Sequence, residues 1–179
     1  ELRNEVSFTN RFHSILTDSL SNSFDTEKFS NEVYDRLNAN LSNEEWEYAL
    51  VEGLKKIYPA PIVVERTGGI LEKQHGTDIL IKFPGLSDFQ YAIAIQVKDY
   101  SGYMSGYAVK QISKADDYWK NEGLVLIDKY VIVTKCKKEQ NLSVADLDNS
   151  VKVIFANELK ELLLKIGMSE MGLSVETNN

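Results

Sequence analysis

The chain has 179 residues, 43% of them hydrophobic and 26% charged, with ten Gly and three Pro. This composition excludes collagen, coiled-coil and low-complexity readings and fits a globular domain with its own core. A single cysteine, Cys136, excludes an internal disulfide framework and a CxxC zinc site and points to a reducing, cytoplasmic compartment, while no apolar run is long enough for a membrane span. The net charge of −7 excludes bulk coating of nucleic acid, and only the middle of the chain, residues 59–140, has a slight basic excess, so a polyanion is expected to be met there.

Helical spacing of Val6, Phe8, Phe12, Ile15, Leu16 and Leu20, then of Phe29, Val33, Tyr34 and Leu37 after Asp25-Thr26, predicts a helical hairpin over residues 1–40. A third helix starts at the capping box Ser42-Asn43-Glu44-Glu45, turns Trp46, Ala49, Leu50, Leu54 and Ile57 inward, and stops at Pro59-Ala60-Pro61. Strands are then predicted at 62–66, 78–83 and 91–97, with a turn at Gly68-Gly69 and a hairpin connection at Pro84-Gly85-Leu86-Ser87-Asp88. A loop from Ser101 to Gly106 leads to a helix over 107–121 that ends at Gly123. Strands at 130–134 and 151–155 and a helix at 156–166 complete the core, with a frayed tail after 168. A helix between the third and fourth strands requires a parallel crossover, so the fold class is α/β with a central mixed β-sheet flanked by helices.

Chemistry concentrates in Gly76-Thr77-Asp78 and in Gln96-Val97-Lys98. Gln96 and Lys98 are two apart on one strand and share a face, and Asp78 opens the strand before it. A carboxylate with an amide oxygen offers the hard oxygen ligands Mg²⁺ accepts, and a lysine alongside can act on a water or a phosphate.

The pattern Asp78…Gln96-Val97-Lys98 resembles the PD-(D/E)xK nuclease superfamily, in particular its Mrr-type restriction endonuclease branch, where Gln replaces the last acidic ligand. Trp46-Glu47 with Leu50 and Leu54 matches the aromatic-Glu pair of that superfamily's first core helix. The resemblance covers about residues 42–166; Thr77, not Pro, precedes Asp78. It implies a restriction-endonuclease-like core at 41–168, with 1–40 a helical extension and 169–179 a flexible tail. It also implies a Mg²⁺- or Mn²⁺-dependent endonuclease acting on double-stranded DNA in bacterial restriction or anti-phage defence. Asp78, Gln96, Lys98 and Glu47 are the implied catalytic residues, and Asp78, Gln96, Glu47 and the Val97 carbonyl the implied metal ligands. Lys110, Gln111 and Lys114 on the following helix, His75 in the loop before Asp78, and Tyr103 are the expected nucleic-acid contacts. The rival reading is a catalytically inactive PD-(D/E)xK fold serving as a nucleic-acid or protein interaction module. Cutting both strands of a duplex takes two sites, which makes a homodimer the expected assembly. Because the chain opens on Glu1, a longer protein with a further recognition or regulatory domain is also expected.

Overall fold

The computed structural model describes residues 2–22, 26–68 and 72–170. The chain forms two compact units, one from residues 1–57 with 157–179 and one from 58–156.

The first unit is helical. α1 (Leu2–Asn22), α2 (Thr26–Asn40), α3 (Asn43–Ile57) and α8 (Ala156–Glu170) bring together Phe12, Ile15, Leu16, Phe29, Val33, Leu37, Trp46, Leu50, Leu54, Leu159, Leu163 and Ile166, all buried. The expected capping box forms: Glu45 Oε2 accepts from the Ser42 N–H (2.9 Å) and Ser42 Oγ from the Glu45 N–H (3.4 Å). The side chains of Val6, Phe8 and Leu20 lie outside the described residues, as do Gly69 and the tail beyond Glu170. α3 and α8 group with the N-terminal helices.

The second unit is a five-stranded mixed sheet in chain order, β1 (Val63–Arg66), β2 (Ile79–Phe83), β3 (Gln90–Gly102), β4 (Leu124–Cys136) and β5 (Val151–Ile154). The first three strands are antiparallel and β3, β4 and β5 are parallel, as the helical crossover requires. One sheet face carries Leu80, Ala92, Ala94, Val131 and Val133 and packs with Val109, Ile112 and Trp119 into one core. Alternation puts Gln96 and Lys98 on that same face, opposite Val131 and Val133.

Four features depart from expectation. The helix over 107–121 is broken into α5 (Gly106–Ile112) and α6 (Ala115–Asn121), with Ser113 and Lys114 between them. β4 is 13 residues long and starts directly after Gly123, whose φ of +80° only glycine adopts freely. A short helix, α4 (Glu72–His75), stands where a loop is expected before Asp78, and α7 (Leu142–Ala145) follows β4.

Candidate active site

Gly76, Thr77 and Asp78 carry the chain from α4 into β2. Gly76 has φ +61°, and a Cβ there would lie 2.7 Å from Gln111 Cγ and 3.1 Å from its carbonyl carbon. Glycine therefore does two things here: it takes the left-handed conformation, and it lets the turn press against α5 at Gln111. The Asp78 N–H donates to the Ile95 carbonyl (2.9 Å), which seats the residue at the edge of β3.

Asp78 is 1% exposed, and its Oδ2 accepts a hydrogen bond from the Val97 N–H at 2.7 Å. The carboxylate thus reaches the main chain between Gln96 and Lys98, on the strand antiparallel to its own. Along a strand the N–H and C=O of one residue point to the same side, so the Val97 carbonyl also points toward Asp78.

Gln96 is fully buried. Its Nε2 donates to Gln111 Oε1 at 2.7 Å, while its Oε1 has no hydrogen-bond partner among the described residues. A buried amide oxygen left this way costs on the order of 1–3 kcal/mol. Lys98 is half-buried on the same face of β3. Its position differs from expectation in one respect: β3 runs on to Gly102, so Lys98 is inside the strand and not at its end.

The other expected site residues separate into groups. Gln111 borders Gln96 and the Gly76 turn. Lys110 and Lys114 are exposed, but Lys110 is on α5 and Lys114 is in the break before α6, not on one continuous helix. Tyr103 is 74% exposed in the turn after β3. His75 corrects the expectation of a loop histidine available to phosphate. It ends α4 at 2% exposure, its ring packed on Tyr118 and Trp119 (centroids 4.6 and 4.8 Å away), and its Nδ1 accepts the Thr77 N–H at 2.9 Å. Glu47 belongs to the helical unit, where it is buried and its Oε1 accepts from Asn43 Nδ2 (3.3 Å).

Two residues of the site region carry no sequence signal. Asn141 is buried and holds the turn after β3: its Oδ1 accepts the Met104 N–H (2.8 Å), and its Nδ2 donates to the carbonyls of Gly102 (3.0 Å) and Lys137 (2.8 Å). Asp99, next to Lys98, accepts from Thr134 Oγ1 (2.7 Å) and pairs with Lys135 (2.8 Å). Burial pushes the Cys136 thiol up from its usual range, and the charge of Asp99 adds to the effect.

Asp78, Gln96 and the Val97 carbonyl present a carboxylate, an amide oxygen and a peptide oxygen, all hard donors suited to Mg²⁺ or Mn²⁺. The buried Gln96 Oε1 fits such an ion, because cation coordination would supply the partner that no donor among the described residues does. Among the described residues no three His, Cys, Asp or Glu side chains gather, so no all-acidic or imidazole centre competes with this oxygen set.

No family model matches the chain, and no curated protein matches it. Among solved structures it is similar to the MspJI restriction endonuclease in complex with a 27-mer oligonucleotide, at 12% identity and a TM-score of 0.47, over 82% of this chain and 33% of that one. The chain thus spans about a third of that protein's length.

Proposed function

We propose that this chain is a metal-dependent endonuclease that hydrolyses phosphodiester bonds of DNA, with a PD-(D/E)xK-type site in the D…QxK form of the Mrr branch, acting in bacterial restriction or anti-phage defence. The observation that carries this reading is the buried Gln96 Oε1, without a hydrogen-bond partner among the described residues, on the strand whose adjacent Val97 amide donates to the Asp78 carboxylate. A purely structural Gln96 would have its amide oxygen satisfied within the fold.

In this reading Asp78, Gln96 and the Val97 carbonyl would hold Mg²⁺ or Mn²⁺. Such an ion, when bound, would supply an activated water and neutralise charge at the scissile phosphate. Hydrolysis forms one P–O bond to water and breaks one P–O ester bond, and the leaving oxygen takes up a proton. Lys98 presents its ammonium to that exchange, orienting the attacking water or stabilising the phosphate oxygens. Gln111 fixes the Gln96 amide so that its oxygen faces away from the hydrogen bond. Lys110, Lys114 and Tyr103 meet the backbone and bases of the duplex, whose two strands a homodimer would cut.

The test is plasmid cleavage with Mg²⁺ or Mn²⁺, paired with calorimetry of metal binding. Lys98→Ala is expected to lower cleavage by roughly 10²–10⁴-fold with metal affinity retained. Asp78→Ala is expected to weaken metal binding, and Gln96→Glu to tighten it. Equal metal affinity for wild type, Asp78→Ala and Gln96→Glu, with no cleavage, would replace this reading with that of an inactive interaction module.

A further inference from the structure

We infer that His75 is a positioning residue for the Asp78 site, acting through the main chain of Thr77. The inference rests on the metal-site reading above and adds a residue whose ring touches neither substrate nor ion.

Thr77 has every polar group engaged. Its N–H donates to His75 Nδ1 (2.9 Å), its hydroxyl donates to the His75 carbonyl (3.3 Å) and accepts from Trp119 Nε1 (3.0 Å), and its carbonyl accepts from Thr67 Oγ1 (2.8 Å). The next carbonyl, that of Asp78, accepts the Thr67 N–H at 2.8 Å. The peptide units on either side of the Asp78 Cα are therefore held by Thr67 and Ile95 and the unit before them by His75, and from this fixed turn the carboxylate meets the Val97 amide.

His75 has a specific part in this arrangement. Accepting at Nδ1 leaves the ring proton on Nε2, the neutral tautomer; an imidazole with hydrogen on both nitrogens would set donor against donor. The ring also fills the space beside Tyr118 and Trp119. Two roles are thus combined in one side chain, an acceptor for the turn and a packing body, and they can be separated. Asn places an oxygen where His places Nδ1 but removes the ring, whereas Phe keeps a ring and removes the acceptor.

The experiment is calorimetric titration of the full chain with Mn²⁺ or Mg²⁺ for wild type, His75→Asn and His75→Phe, with thermal melting to verify folding. His75→Asn is expected to keep metal affinity close to wild type, and His75→Phe to lose about tenfold or more, the scale of lost outer-shell support. If Phe binds as wild type does, or if Asn binds no better than Phe, the ring is only packing and the inference falls. If wild type itself binds no metal, the metal-site reading falls and takes this one with it. Should His75→Phe not fold, the wild-type protein decides the matter by NMR. The Thr77 amide and the His75 ring nitrogens are expected to shift on metal saturation, and resonances that stay in place would overturn the inference.

Discussion

Gln96 sets stability and function against each other within a single side chain. Its amide nitrogen is bonded to Gln111 and its oxygen has no partner among the described residues, so Gln96→Leu removes an uncompensated polar atom from the core. We expect this variant to unfold in urea at the wild-type midpoint or above it, with a gain of up to about 1–2 kcal/mol, while its response to Mg²⁺ disappears. A loss of more than about 2 kcal/mol would mean the oxygen has a structural partner and would weaken the metal reading. Asp78, Gln96 and Lys98 were legible in the sequence because their chemistry and spacing are local: two residues on one strand and a carboxylate at the head of its neighbour. His75 was not, because its burial depends on Tyr118 and Trp119, whose approach is a property of the fold and not of the segment around it. Asn141 was equally silent, since its three bonds all go to main-chain atoms that any sequence supplies.

The strand that the sequence concealed is β4. The β-branched apolar run shows clearly over 130–134, but Asp128 and Lys129 cut it off from the residues before, and the register shifts near Ala92 and Ile93 on its partner. Lys129 is nevertheless buried in the middle of the strand, where its ammonium pairs with Asp116 at the start of α6 and points at the Ser113 carbonyl (3.5 Å). The charge that hides the strand therefore also joins it to the broken crossover helix. Removing one partner of such a pair costs more than removing the ion pair as a whole. Because Asp116 is half-exposed, we expect Asp116→Ala to lose about 1–2 kcal/mol in urea unfolding and Lys129→Met to lose less. The reverse order would show that the lysine's alkyl chain, not its charge, makes the contribution. The antiparallel hairpin, the crossover, the α3 cap and the inward stripes of α2 and α3 were all readable from periodicity and turn residues, because each is decided by neighbours a few positions away.

On the scale of the whole molecule, the helical unit is tied at Glu170. Burial pushes this carboxyl up, but the ammonium of Lys56 on α3, with His13 on α1 (3.1 Å), overcomes that and holds it below the usual carboxylate range. A carboxyl lowered on folding adds stability above its unfolded value, near pH 4.5, and that stability fades as the pH falls through the folded value. Acid titration of wild type against Glu170→Gln should therefore show the variant less stable near neutrality, by no more than about 1 kcal/mol given the partly exposed Lys56, with the two curves meeting in acid. Parallel curves would exclude the tie. The same residue ends a helix whose partners lie at the other end of the chain. Gly53 lets the Ile166 side chain approach closely, and Gly167 lies against the Phe29 ring. The sheet unit is one uninterrupted stretch, whereas the helical unit is assembled from both ends of the sequence. During synthesis α1, α2 and α3 are thus made well before α8, and the apolar seam that α8 covers stays open while the whole sheet unit is added between them.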